Sequence, residues 1–281
     1  MTVDYSLIKE DDVIESSNDN AVLDIIHRRR STRLFKEKNI SDETLNSILQ
    51  AGLRAPFAAQ FCTIIYTRNK DIINELVELP YFGVWKTSNI VLFILFDRER
   101  FSKVIEYTGR TYNFDDSFAL WLGLQEAGLI AGNMTIAAES LNIGSVLLGA
   151  VPVFPYIVKP LLGIPDNVHP IVGMCLGYPD EEKVPTLKPR FPLEMTAFED
   201  KYHDLTAMEI EECRKVMNEG FKAGSYYEGI RGKLPIFDDK PDTDYSDYTW
   251  CEHISRKFGQ GFPLSFVDIL KDSGINFEKR M

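Results

Sequence analysis

The arrangement of apolar and polar positions reads as a mixture of helices and strands. Val22, Leu23, Ile25 and Ile26 mark a helix over about 20–30, started near Asn20. Ser41 can cap a second helix, with Asp42 and Glu43 at its positive N-terminal end and Leu45, Ile48, Leu49 and Leu53 as its apolar stripe. Residues 61–67 (FCTIIYT) predict a strand. Ile72, Ile73, Leu76 and Val77 predict a helix near 70–79, stopped by Pro80. The unbroken apolar run Ile90–Phe96 predicts a buried strand. Segment 117–141 is the longest helical pattern, apolar on most faces and rich in Ala and Gly. Such a helix suits burial on all sides, and a dimer core is one natural place for it. Gly144 is read as its end, followed by a short strand over Ser145–Val151. A helix over Val153–Leu162 ended by Gly163 and a strand over His169–Tyr178 come next.

Beyond this point the pattern changes. Residues 179–192 hold four prolines and read as extended and irregular. Thr206 and Glu209 fit a capping box opening a helix to about Phe221. A polar, Asp-rich loop spans about 232–248, and a final helical region runs from about Trp250 to Leu270. Helices and strands mix without regular βαβ alternation, which predicts an α+β layered fold rather than a Rossmann domain. Residues 1–199 are assigned to a core and residues 200–281 to a helical extension packed on it within the same domain.

Composition narrows the function. The 281 residues include 42 Asp and Glu against 31 Lys and Arg, a net charge of −11. That balance disfavours a nucleic-acid or anionic-membrane binder. No apolar run reaches the roughly 18–20 residues that span a bilayer. The acidic N-terminus does not read as a secretory signal. Cys62, Cys175, Cys213 and Cys251 are scattered, which suggests a reducing, cytoplasmic setting without a disulfide framework. The histidines show no metal-ligand spacing, and no metal site is expected.

Within this acidic chain, His27–Arg33 reads HRRRSTR, four arginines in seven positions. No P-loop and no GxGxxG loop is present, so a bound phosphate would need side chains to hold it. Arg29, Arg30, Ser31 and Arg33 form one candidate set, and Lys188 with Arg190 another. The planar guanidinium fork suits phosphate by giving parallel, charge-assisted hydrogen bonds. Taken alone, the cluster fits a solvated helix C-terminus better.

Four segments in order resemble the nitroreductase family. They are HRRRSTRLFKEKNISDETLNSILQAGLRAP (27–56), AAESLNIGSVLLGAV (137–151), GMCLGYPDEEKVPTLKPRFPLE (173–194) and a tail with YYEGIRG (226–232) and TWCEHISRKFGQGFPLSFVDILKDSGINF (249–277). The tail is similar to the extension of the larger flavin-reductase subgroup. The resemblance implies a mostly antiparallel central sheet flanked by helices, and a homodimer with FMN at its interface. It implies that Arg29, Arg30 and Ser31 hold the FMN phosphate and ribityl chain, with Arg33 near the flavin N1/C2 carbonyl. Lys188 and Arg190 match the second phosphate clamp, and Leu148 and Gly149 the segment facing flavin N5. Pro56, Phe57 and Gln60 fall where the family carries P-S-x-x-N-x-Q-P-W. Here Phe57 replaces the serine, and the tryptophan is absent. Tyr81 falls near a position that can reach the flavin, and Arg231 near one that can contact the NADPH phosphate.

The implied activity is ping-pong transfer of electrons from NAD(P)H through FMN to a nitroaromatic, quinone or flavin. No side chain of the protein is needed as nucleophile or base. Two alternatives remain: a flavin- or anion-binding protein without turnover, and a specialised flavin reduction such as reductive dehalogenation.

Overall fold

The computed structural model describes residues 20–77, 86–180, 186–227, 248–259 and 265–277. Its elements begin with α1 (Ala21–Arg28), α2 (Asp42–Leu53), β1 (Cys62–Thr67), α3 (Lys70–Val77), β2 (Ile90–Asp97) and α4 (Arg98–Tyr107). They continue with α5 (Asp116–Ser140), β3 (Gly144–Leu148), α6 (Pro155–Leu162) and β4 (Val168–Gly177). The last three are α7 (Ala207–Ala223), α8 (Trp250–Phe258) and α9 (Phe266–Asp272). They fall into two compact units, Ile25–Val184 with Leu264–Met281, and Met1–Asp24 with Pro185–Pro263.

The first unit is built on a four-stranded sheet in the order β1-β2-β4-β3, every pairing antiparallel. All eight residues of β2 are buried, because helices cover both faces. Alternation sends Ile90, Leu92, Ile94 and Phe96 into one core with α2, α5 and α9. Val91, Phe93 and Leu95 enter a second core with Ile73, Leu76, Val151 and Val158. The β2–β4 register shifts between Ile94 and Leu95, beside Pro170, which has no N–H to give the ladder. α9 joins the first core through Leu270 and Ile275, and Ser273 O accepts from Asn167 N at 2.9 Å.

In the second unit Thr206 and Glu209 form the expected capping box of α7. α7 and α8 enclose a cluster of Met217, Phe221 and Tyr227, with Tyr226, Tyr248 and Trp250 against it. Asn218 Oδ1 on α7 accepts from the Cys251 backbone N–H on α8 at 3.0 Å.

Three details differ from the sequence expectations. The long helix stops at Ser140, and Asn142 takes the left-handed conformation at φ 57°, leaving Gly144 to open β3. The final helical region is two helices: α8 ends at Phe258, and Ser265 caps α9 by accepting from Asp268 N at 3.3 Å. α4 had no signal, because RERFSKVIEY buries no residue fully; Asp97 starts it by accepting from Arg100 N at 2.8 Å.

Candidate functional site

Asn20 Oδ1 caps α1 by accepting from Val22 N and Leu23 N at 3.1 and 3.3 Å. The helix ends at Arg28, and the next residues run out along the sheet edge. Ser31 forms a parallel bridge with Ser145 of β3, and Thr32 N donates to Ser145 O at 2.9 Å. Farther on, Lys36 N donates to Tyr178 O at 2.9 Å, and Phe35 bridges Pro179. Gly144 makes this approach possible. A Cβ there would stand 2.7–2.8 Å from three side-chain atoms of Thr32.

Thr32 and Phe35 turn inward and are buried. Arg29, Arg30, Ser31 and Arg33 are all half-buried. Arg30 Nε donates to Arg28 O at 3.3 Å, and Arg33 Nη1 makes a long contact of 3.4 Å to Ser31 O. Among the described residues no Asp or Glu forms an ion pair with Arg29 or Arg33. Half-buried guanidiniums with no carboxylate beside them suit an external anion.

The same strand leads to the second candidate position. Leu148 is buried at the end of β3 and pairs with Gly173, while Gly149 beyond it is exposed. From Ser145 to Gly149 the backbone advances about 13 Å at strand rise. A Cβ on Gly149 would meet nothing within 4 Å, so open space lies over this backbone. A 3-10 turn over Val151–Val153 then carries the chain away.

Pro56, Phe57 and Gln60 lie on the exposed connection from α2 to β1. Gln60 has φ 56°, in the left-handed region. The chain after it is tied down by two residues that the sequence reading missed. Glu126 of α5 is buried, and its carboxylate accepts from Phe61 N at 2.9 Å and Cys62 N at 3.3 Å. Arg100 Nη2 donates to Gln60 O at 3.2 Å and Cys62 O at 2.5 Å. Glu126 had a signal: it is the sole acid within the apolar stretch 117–138 and falls on the buried stripe with Gly123, Ile130 and Met134. Burial, with Glu126's charge second, pushes the Cys62 thiol well above the ordinary range, and burial pushes Cys175 up to about 12. Neither is a poised thiolate.

Lys188 and Arg190 belong to the second unit. Lys188 Nζ donates to Tyr226 Oη at 3.2 Å and stands 4.5 Å from that ring's centroid. Arg190 is exposed and donates to Lys188 O and Pro189 O at 3.1 and 2.9 Å. A Cβ on Gly220 of α7 would press on Pro189 at 2.6 Å, so α7 packs directly beneath this segment. Tyr81 and Arg231 lie outside the described residues.

The family model for the nitroreductase family matches residues 26–178, more than half of the chain. The chain belongs to the nitroreductase family. It is therefore an oxidoreductase, and the matched region includes both the arginine segment and the Leu148–Gly149 turn. The NADPH-flavin oxidoreductase of Vibrio harveyi is 28% identical over 226 residues, covering 76% of this chain and 91% of that protein. Among solved structures, B. megaterium NfrA2 superposes with a TM-score of 0.80 at 25% identity, covering 92% of this chain and 100% of that one. The NADPH:FMN oxidoreductase from Vibrio harveyi complexed with NAD+ gives 0.74 at 25% identity, covering 91% and 98%. These relatives share the α+β fold described above. Among the described residues no helix is long and apolar enough to cross a membrane.

Proposed function

We propose that this nitroreductase-family protein binds FMN and passes electrons from NAD(P)H to a nitroaromatic, quinone or flavin. One observation carries the reading. Gly144 lets the Ser31–Thr32 segment lie on β3, whose far end leads to the open backbone at Gly149, and among the described residues neither Arg29 nor Arg33 forms an ion pair with a carboxylate. Anion-binding groups and a clear shelf for a flat ring are what FMN requires, so the residues fit the cofactor. The printed descriptions of the Vibrio harveyi relatives, NADPH-flavin and NADPH:FMN oxidoreductase, support both cofactor and donor.

In this reading Arg29, Arg30 and Ser31 hold the phosphate and ribityl chain, and the resemblance assigns Lys188 and Arg190 to a second phosphate clamp. Arg33 places positive charge at the N1/C2 side of the ring, where reduction leaves negative charge. Backbone at Leu148 and Gly149 faces N5, and Pro56, Phe57 and Gln60 border the ring. Bound FMN supplies two-electron transfer between the reduced nicotinamide and the acceptor. The protein's part is to bind, orient and shield, so no nucleophile or base is assigned to a side chain.

The site is completed by a second copy of the chain. One face of α5 packs in the core, yet Phe118, Trp121 and Leu129 on it are 52%, 58% and 46% exposed. A Cβ on Gly128 or Gly132 would meet nothing within 4 Å, which leaves room for close helix packing. Apolar surface of this kind supports a homodimer, and the scattered cysteines suit a cytoplasmic setting. Purified protein should be yellow and should bleach anaerobically with NADPH. Steady NADPH oxidation with menadione or a nitroaromatic separates this function from flavin binding without turnover. A protein that neither holds nor takes up FMN refutes it.

A further inference from the structure

Gln60 holds an uncommon backbone conformation for a residue with a side chain, φ 56°. Such conformations persist where surrounding contacts over-determine them, and they collect at ligand clamps. Here the contacts are complete. Glu126 takes the N–H groups of Phe61 and Cys62. Arg100 takes the carbonyls of Gln60 and Cys62, and Asp97 N donates to Phe61 O at 2.7 Å. Arg100 is steadied in turn, because Asp97 Oδ1 accepts its backbone N–H at 2.8 Å. The other oxygen of Asp97 accepts from Thr63 Oγ1 at 2.6 Å.

Glu126 is 6% exposed among Gly123, Ala127 and Ile130, and its two oxygens satisfy the N–H groups of the buried Phe61 and Cys62, which an apolar side chain would leave unpaired. Its oxygens are directed at one short piece of backbone. Gln60's own side chain is exposed and is not part of either core.

We infer that Glu126 and Arg100 are positioning residues that fix Gln60, and with it the Pro56–Gln60 border, for the flavin ring. The inference rests on the FMN reading above. The clamp comes from α5 through Glu126 and from the first turn of α4 through Arg100, which Asp97 at the end of β2 holds, so the border is set by regular elements rather than by the loop itself.

The test uses the full-length protein titrated with FMN, followed by flavin fluorescence and visible circular dichroism. Glu126→Gln turns one acceptor into a donor facing a backbone N–H. Arg100→Met removes both carbonyl contacts from a side chain that is half exposed, and it carries the test alone if Glu126→Gln does not fold. Each should raise the FMN Kd about tenfold and alter the visible dichroism. In a Gln60→Ala background, adding Arg100→Met or Glu126→Gln should change Kd by less than it does in the wild-type background, because part of the effect travels through the Gln60 side chain. Unchanged Kd and spectrum in the single variants, or effects that simply add in the double variants, overturn the inference while leaving the FMN reading standing. Failure of the wild-type protein to bind FMN overturns both.

Discussion

Substituting Gly144 by alanine separates the two roles assigned to glycine along β3. The new Cβ would lie 2.7, 2.7 and 2.8 Å from Cβ, Oγ1 and Cγ2 of Thr32. An ordinary contact needs ~3.5 Å, so the Ser31–Thr32 segment must recede by about 0.7–1 Å. Thr32 is 6% exposed and cannot swing into solvent. Overpacking of this kind costs about 1–3 kcal/mol. Straining the bond from Thr32 N to Ser145 O adds about 1 kcal/mol. The sum of about 2–4 kcal/mol corresponds to a fall in Tm of roughly 3–7 °C. The arginine segment moves with Ser31, so FMN affinity should fall as well.

Gly149→Ala is the counterpart, since its Cβ meets no atom of the chain within 4 Å. It should leave the Tm within about 1 °C and still weaken FMN, because the methyl occupies the space assigned to the ring. Differential scanning fluorimetry of the flavin-free protein and FMN titration measure the two effects. Adding Thr32→Ala to Gly144→Ala removes two of the three crowding atoms and should recover part of the Tm. A Gly144→Ala protein with wild-type Tm and FMN affinity would refute the packing argument. A Gly149→Ala protein that binds FMN normally would show that the ring lies elsewhere.

Arg30→Ala and Arg190→Ala should each weaken FMN retention by roughly 1.5–3 kcal/mol, the worth of a charge-assisted bond; unchanged affinity in both would mean the phosphate has been misplaced. Trp121→Asp, on the exposed face of α5, should raise the dimer dissociation constant at least thirtyfold if that residue anchors the interface, as read by sedimentation against concentration; an unchanged dimer would assign another face. His169 is buried, with Nδ1 2.8 Å from Ser273 Oγ, and burial, with the Lys159 charge second, pushes its pKa down to about 4. Between pH 6.5 and 4 the unfolded chain therefore binds the proton and the folded chain does not, so stability falls as pH drops through that window, by up to about 3 kcal/mol. His169→Gln should flatten that part of a pH–stability curve measured by urea unfolding, and an unchanged slope would refute it.

Local patterns carried most of the fold. Ser41 and Thr206 cap the helices that their spacing predicts, and the apolar run at β2 marks the strand with both faces covered. The misread places are those where a tertiary neighbour decided. Gly144 follows a helix and so reads as its terminator, but Asn142 does that work and Thr32, 112 positions earlier, explains the glycine. α4 has no apolar stripe because its helix starts from a cap at Asp97 and buries no residue fully. One helical region became two because α8 ends at Phe258, with Gly259 as its C-cap, and Ser265 caps a separate α9.

The candidate site divides along the same line, and the reason is electrostatic. The arginines proposed to bind an external phosphate, Arg29 and Arg30, sit together in sequence and so leave a local motif. A group that shapes backbone works alone, because each buried charge must be fully satisfied where it stands. Glu126 meets its partners from 64 and 65 positions away, and Arg100 reaches back 38 and 40. Neither separation leaves a local motif. What the sequence does retain is the anomaly itself, a lone acid in the middle of an apolar helical stretch. Its charge is explained by the two buried N–H groups it satisfies, which lie directly after the left-handed Gln60, so the buried acid and the strained residue mark the same short piece of backbone.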